Sequence, residues 1–256
     1  DPGASAQPDA RRALERRPLL MPGPGAAPHW AAVGPEAVLD FWFPDDGHDR
    51  TLEAHRGFWA WRMRGGVDAP IRERFGALTE AAARGLLDHW AATPRGRLAL
   101  VIALDQFPRS VWRDAAGAYG QDIRACRLVL EAFENGHFDA LANPWEKTFL
   151  LIANGHCEGP DHLARMAGNL ARAAALLDEA PPHLRLSYRL SEDQTRMAHE
   201  VIARFGRYPH RNAVLGRVST PDEEAYVAAG RFPHQRPIPT DPAELEAMLA
   251  ERQPAV

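Results

Sequence analysis

The amino-acid sequence predicts an all-α protein built from antiparallel helical hairpins or from a helix bundle. Apolar residues recur at the three- and four-residue spacing of helices through most of the chain, and short loops rich in proline and glycine separate these segments. No segment alternates polar and apolar residues convincingly, as a half-buried strand does. The chain has 256 residues, 45% of them hydrophobic, which is enough for one substantial core.

The expected helices begin at about residue 35. They cover roughly residues 35–43, 68–85, 98–105, 123–134, 144–155, 163–177 and 191–205, and a last helix begins near residue 221. Asp68 and Ser191 are predicted N-caps, because their side chains can accept a hydrogen bond from the first turn. Asn143-Pro144-Trp145-Glu146 and Thr220-Pro221-Asp222-Glu223 have the form of a capping box with proline at the first helical position.

Composition divides the chain into three parts. Residues 1–34 are rich in Pro, Gly, Ala and Arg, a composition that breaks helices and buries little, so we expect a tail. Residues 35–230 form the predicted helical domain, and residues 231–256 form a C-terminal extension.

Charge and hydropathy exclude two classes of partner. The formal net charge of -4 gives no general attraction to nucleic acid or to an anionic membrane surface. No apolar stretch is long enough to span a bilayer, and the N-terminus lacks the pattern of a signal peptide. We therefore expect a cytoplasmic protein in which Cys126 and Cys157 stay reduced.

The most unusual segment is RFGRYPHRNAVLGR at residues 204–217. It crowds charged and amide side chains around a turn at Gly206 and Pro209: Arg204, Arg207, His210, Arg211, Asn212 and Arg217. Arginines that lie partly buried among aromatic residues need carboxylates or an anionic ligand. The segment therefore indicates either a site for a small anion or an internal ion-pair network.

Two other helix ends carry ionisable groups. Asp105-Gln106-Phe107-Pro108-Arg109 places a carboxylate, an amide and a guanidinium where an apolar helix must end. His156-Cys157-Glu158 follows Gly155 at the end of the capped helix, and its spacing matches no established zinc pattern, so no metal site is predicted.

These segments supply the candidate site residues. The predicted acid–base groups are Asp105, His156, Glu158, His199 and His210. The predicted substrate-binding groups are Gln106, Arg109, Arg204, Arg207, Arg211, Asn212 and Arg217. We expect the acid–base groups to converge on one concavity with Arg109, Arg207 and Arg211.

Three stretches of sequence resemble a known family. VLDFWF at 38–43, LDQFPRSVWR at 104–113 and RFGRYPHRNAVLGRVSTPDEE at 204–224 resemble bacterial and eukaryotic proteins that share the domain of unknown function numbered 924. The resemblance spans most of residues 36 to 229, implies a tetratricopeptide-like helical fold and carries no known reaction. Where family members typically have His-Ser-Glu, this chain has His156-Cys157-Glu158, which keeps the histidine and the glutamate.

Two functional hypotheses follow, with a purely structural role for the charged residues as a third. The first is an enzyme that binds a small carboxylate or phosphate through arginines and moves protons with histidine and carboxylate groups. The second is a non-catalytic helical-repeat scaffold that binds a peptide or protein partner in a groove. The first is narrowly favoured, because the ionisable residues concentrate in one turn and two helix ends. The sequence assigns neither a cofactor nor an oligomeric state.

Overall fold

The computed structural model describes residues 29–230, 232 and 237–252, and within these ranges the chain forms helices and loops but no β-strand. The predicted all-α fold is therefore confirmed. The α-helices are, in chain order, α1 (Pro35–Trp42), α2 (Leu52–Trp61), α3 (Asp68–Ala83), α4 (Pro94–Asp105), α5 (Pro108–Val111), α6 (Asp122–Glu134), α7 (Pro144–His156), α8 (His162–Glu179), α9 (Arg185–Phe205), α10 (Pro221–Ala229) and α11 (Pro242–Glu251). The tetratricopeptide-like arrangement stays a prediction.

The predicted tail lies mostly outside the described residues, which begin at 29. Its last part forms a short 3-10 turn at His29–Ala32, and Trp30 packs against the core. Further 3-10 turns occur at Asp88–Ala92, Ala116–Tyr119, Pro182–Leu184 and Pro209–Arg211, and a π-type turn lies at Arg62–Gly66.

Proline and capping side chains set several helix starts, and those at Pro35, Pro144 and Pro221 were predicted. The first position is proline in α1, α4, α7, α10 and α11, where its missing N–H has no helical partner to lose. The Asn143 side chain accepts a hydrogen bond from the Trp145 N–H at 2.9 Å. Thr220 and Glu223 form the reciprocal capping box. These caps fix where the helices that carry or flank the site begin.

Two side chains predicted at caps have other partners. Asp68 begins α3, but its carboxylate accepts a hydrogen bond from Arg113 Nη2 at 2.8 Å, and Val67 is the N-cap residue. Glu146 lies 3.2 Å from Arg95 Nη1 and so does not complete a capping box with Asn143. In both cases a guanidinium competes for the carboxylate, and a charge-assisted hydrogen bond is the stronger one.

The structure lengthens two predicted helices, of which α4 begins at Pro94 and not near residue 98, and it adds three helices that were not predicted. α9 begins at Arg185, so Ser191 lies inside it and is not its N-cap; the buried ring of Tyr188 carries the apolar face further upstream. α2, α5 and α11 were missed. α11 lies in the predicted C-terminal extension and packs on α9, with Leu245 and Leu249 buried.

α4 lies at the centre of the core. Its residues from 96 to 105 are all buried, and it packs against α1, α3, α6 and α7. A helix that is apolar on every side needs such a position. Because α4 ends at Asp105, this packing places a carboxylate in the interior at the point where the chain turns into α5.

α6 packs against α7, α7 against α8, and α8 against α9. Gly206 follows α9 with a φ of 70°, a left-handed conformation that costs glycine little. Beyond this turn the chain returns to the end of α7, where the Tyr208 hydroxyl donates to the Gly155 carbonyl at 2.8 Å. Among the described helices, none has the length and apolar character needed to cross a membrane.

Candidate functional site

The carboxyl-terminal end of α7 lies at the centre of the predicted site. Its last carbonyls accept hydrogen bonds from side chains of α8 and of the segment after α9: Leu151 from Asn169, Asn154 from Arg165, Gly155 from His162 and Tyr208, His156 from Arg211, and Cys157 from Arg165. A helix C-terminus leaves four carbonyls without helical partners and carries partial negative charge. Some of the cationic side chains in this region are therefore explained by the hydrogen bonds that they donate to the carbonyls at the end of α7.

The best-defined pair in the site joins α4 to α7. His156 Nδ1 donates to Asp105 Oδ1 at 2.8 Å. The carboxylate is 1% exposed, whereas the imidazole keeps 28% of its side chain exposed. Gln106 Nε2 donates to the other carboxylate oxygen at 2.5 Å, and Arg109 Nη1 lies 3.1 Å from Oδ1. Asp105 is thus held by three donors, and one of them is the histidine ring.

Electrostatics fix the charge state of this pair. Burial opposes ionisation of Asp105, but Arg109 and His156 outweigh it and hold the pKa of this carboxyl well below its usual range. Burial lowers the pKa of His156, the Arg109 charge lowers it further, and Asp105 opposes both. At neutral pH the imidazole is therefore neutral. With its proton on Nδ1, the Nε2 lone pair is the free base.

Asp122, at the start of α6, joins two arginines of the site. Arg109 Nη2 and Arg211 Nη1 each donate to Asp122 Oδ2 at 3.1 Å. The ring of Tyr119 lies under both guanidiniums, 5.5 Å from the Arg109 Cζ and 4.5 Å from the Arg211 Cζ. Sequence reasoning missed Asp122 and Tyr119, because an acid in the first turn of an amphipathic helix and a single tyrosine in a glycine-containing turn carry no distinctive pattern.

Glu158 binds the segment that follows α9. Its carboxylate accepts a hydrogen bond from the backbone N–H of Tyr208 and one from Arg217 Nη1, each at 2.5 Å. Burial raises the pKa of Glu158, but the hydrogen bonds from Arg217 and Tyr208 outweigh burial and lower the pKa overall. Glu158 is therefore an ionised anchor for the returning chain.

The sequence matches one family model. That model, described as "Bacterial protein of unknown function (DUF924)", matches residues 38–231. The chain belongs to this family. Among solved structures, the chain is similar to "Structure of Protein of Unknown Function ATU0120 from Agrobacterium tumefaciens": the two are 28% identical, the match covers 77% of this chain and 97% of that chain, and the TM-score is 0.58. No curated protein matches the sequence.

The structure of this DUF924 member brings only part of the predicted set together. Asp105, Gln106, Arg109, His156 and Arg211 form one bonded network, and Glu158 with Arg217 lies beside it. Arg207 binds Glu223 through two hydrogen bonds, of 2.7 and 2.8 Å, and Arg204 lies 3.7 Å from Asp222. The bonded contacts join four of the eight residues expected to share one concavity, Asp105, Arg109, His156 and Arg211, and the shared concavity for all eight stays a prediction.

The remaining predicted residues lie outside the network. His210 packs between the rings of Tyr208 and Phe232, at 5.6 and 5.1 Å, so the turn at Pro209 directs it into an aromatic cluster. Asn212 donates to Ser219 Oγ at 2.9 Å. His199 lies on α9 about two turns before its end, and within the described ranges no hydrogen bond or ring contact joins it to the network.

The described side chains indicate neither a cofactor nor a metal site. Within the part of the chain that the structure describes, no three His, Cys, Asp or Glu residues are grouped so that they could hold a metal ion. A small cavity between α7, α8 and α9 is lined by Thr148, Leu151, Ile152, Ala173, Leu176, Tyr188, Ser191, Glu192 and Thr195. None of the predicted site residues, all of which are described, lines it.

Proposed function

We propose that this protein is an enzyme in which His156 is the general base toward a small anionic substrate and Asp105 orients it. The observation that carries the proposal is the 2.8 Å contact between His156 Nδ1 and the buried Asp105 carboxylate, combined with an imidazole that remains partly exposed. A carboxylate at Nδ1 holds the ring in one tautomer and stabilises the imidazolium that forms when Nε2 takes a proton. This arrangement supports general acid–base chemistry.

Arg109 is the anchor for the anionic group in this proposal. Its side chain is 20% exposed and touches Asp105, the partner of the base. The two carboxylates and two guanidiniums of Asp105, Asp122, Arg109 and Arg211 balance, so net positive charge does not supply the affinity. The remaining N–H donors of Arg109 would supply it instead, which favours a substrate with a single carboxylate or phosphate group.

The alternative is a non-catalytic scaffold that binds a peptide or protein partner. Its support is the helical fold class alone, which hosts many functions. Residues that recognise a peptide usually spread along a groove, whereas the charged groups of this chain gather around the end of α7. The local geometry therefore favours the enzyme.

The test combines a substrate search with matched histidine variants. Small carboxylates and phosphate esters are incubated with the protein in D2O and followed by proton NMR, which detects both hydrolysis and exchange of a C–H proton. We expect one compound class to react, the rate to fall about 10²- to 10⁴-fold in His156→Gln, and the His210→Gln control to keep the rate.

A chemical probe of the imidazole gives a second readout that needs no substrate. Diethyl pyrocarbonate acylates neutral imidazole nitrogen, and peptide mass spectrometry identifies the histidine that reacts. We expect His156 to react at Nε2 and malonate or phosphate to protect it. If His156 is unreactive, or if His156→Gln keeps full turnover, the proposed function is wrong.

A further inference from the structure

The tripeptide Asn-Gly-His occurs twice in the chain, at residues 135–137 and 154–156. The first copy follows the end of α6, and its asparagine and glycine are exposed. The second copy forms the end of α7, where Asn154 is 1% exposed and Gly155 is buried. An asparagine that precedes glycine is prone to lose ammonia spontaneously, because no side chain shields the glycine nitrogen. The fold therefore places one reactive sequence in two opposite environments.

We propose that Asn135 is a modification site at which the chain converts itself, without an enzyme, to aspartate and isoaspartate, and that the fold protects the identical copy at Asn154. The Asn135 side-chain oxygen accepts a hydrogen bond from the His137 N–H at 3.0 Å. This Asx turn brings the side chain back toward the peptide that follows it, which contains the attacking Gly136 nitrogen. The same hydrogen bond stabilises the negative charge that the side-chain oxygen gains during the attack.

Gly136 leaves its nitrogen open to the reaction. Its φ is 80°, and a Cβ added at this position would meet no atom within 4 Å. Among the residues that the structure describes, no group accepts a hydrogen bond from the Gly136 N–H. Because α6 ends at Glu134, the backbone of Asn135 can rotate to close the ring without unwinding the helix.

The reaction balances with water as the co-reactant. The Gly136 nitrogen attacks Cγ of Asn135; a C–N bond forms, the bond from Cγ to Nδ2 breaks, and ammonia leaves with the Gly136 proton. Water then adds to one carbonyl of the cyclic imide, one C–N bond breaks, and the nitrogen takes back a proton. Opening at the side-chain carbonyl gives aspartate, and opening at the main-chain carbonyl gives isoaspartate. No group is oxidised or reduced.

Hydrogen bonds hold the second copy away from this reaction. The Asn154 amide nitrogen donates to Asn169 Oδ1 at 2.7 Å. The Asn154 side-chain oxygen lies 3.4 Å from Cys126 Sγ and 3.4 Å from Arg165 Nη1. Gly155 lies inside α7, which ends at His156. Ring closure at Asn154 therefore requires the end of α7 to unfold locally.

Conversion of Asn135 loosens the link between α6 and α4. Isoaspartate lengthens the main chain by one carbon and adds a negative charge at the carboxyl-terminal end of α6, which the helix dipole disfavours. His137, two residues further on, accepts a hydrogen bond from Arg97 Nε at 3.1 Å. Arg97, on α4, also donates to the Leu128 carbonyl of α6 at 3.0 Å. A displaced His137 therefore removes one of the contacts that hold Arg97 between the two helices.

The first experiment compares the two copies within one native full-length chain. The protein is incubated at mildly alkaline pH and digested with trypsin, and peptides 128–147 and 148–165 are followed by chromatography and mass spectrometry against a fresh sample. We expect peptide 128–147 to gain the mass that converts an amide to an acid and to separate into two isomers, with fragment ions that place the change at residue 135. Asn143, in the same peptide, precedes proline and so has no N–H to attack it.

The protected copy supplies the control. Peptide 148–165 should react more than about tenfold more slowly than peptide 128–147 in the native protein, and the two rates should become similar in urea. Equal rates in the native protein overturn the proposal. An Asn135 that reacts in urea but stays unmodified in the native protein overturns it as well.

The second experiment measures the effect on the fold. Amide hydrogen exchange is compared between the fresh protein and the isoaspartate form, isolated by ion-exchange chromatography. We expect faster exchange over residues 128–140 and unchanged exchange over residues 148–156. Asn135→Gln keeps a side-chain amide but closes a larger ring much more slowly, so its exchange should not change on incubation. Unchanged exchange in the isoaspartate form overturns the link to α4. Neither experiment uses turnover, so both are independent of the proposed reaction.

Discussion

Replacement of Asp105 by asparagine removes the charge behind His156 and nearly keeps the shape. The carboxylate accepts the Nδ1 proton of His156 at 2.8 Å, whereas an asparagine amide can donate to Nδ1 in its place. The ring would then carry its proton on Nε2 and lose its free base. We expect turnover to fall about 10⁴-fold, the loss that the wrong tautomer causes in a Ser-His-Asp triad.

The free energy of unfolding of Asp105→Asn should fall as well, and the remaining ion pair between Arg109 and Asp122 limits the loss. Loss of one partner from a buried ion pair costs about 3 to 5 kcal/mol. Because Arg109 keeps its contact with Asp122 at 3.1 Å, we expect a loss of about 3 kcal/mol, at the lower end of that range. Urea denaturation measures this free energy, and ring-nitrogen NMR measures the tautomer.

Asp122→Asn is the matched control for this prediction. It removes a buried carboxylate whose hydrogen bonds come from Arg109 and Arg211 and not from the imidazole of His156. We expect this variant to lose stability while His156 keeps its proton on Nδ1. If the ring of His156 also keeps its proton on Nδ1 in Asp105→Asn, Asp105 does not set the tautomer and the reasoning fails.

Three further outcomes are expected. Burial lowers the pKa of His55 and of His162 from 6.5 to about 4, so the unfolded chain binds protons first as the pH falls through this window. When the pH falls from 7 to 5, each of these two rings therefore lowers the free energy of unfolding by about 2 kcal/mol. Urea denaturation at both pH values should show that His55→Phe removes about half of this combined loss. Arg217→Ala, which leaves Glu158 without its cation, should lower the free energy of unfolding by about 2 kcal/mol, with no recovery in phosphate; recovery would indicate an anion site there. His210→Asn should change stability by about 1 kcal/mol or less and leave turnover intact, and a large loss of turnover would make this ring catalytic after all.

Helix positions were more predictable than the partners of charged side chains. The Asn143 cap and the Gly206 turn were predictable because each depends on a few neighbouring residues. The Asp105–His156 contact joins residues 51 positions apart, and sequence reasoning could place both in one set without predicting the bond. Asp122 was not predicted, since its role exists only where α5, α6 and the segment after α9 meet.

The arginine-rich segment at residues 204–217 was the most unusual feature of the sequence. The structure explains it by the contacts that its side chains make at the end of α7. Arg211 binds the His156 carbonyl, Arg217 binds Glu158, and Tyr208 binds the Gly155 carbonyl. Each contact holds the end of α7, where unpaired carbonyls and the helix dipole attract donors and cations. Because these side chains already bind groups of the protein, the segment has few hydrogen-bond donors left for a ligand. The same contacts fix the direction of the imidazole, so the segment would serve catalysis by positioning the base, and the choice of substrate would fall to Arg109, the partly exposed guanidinium next to it.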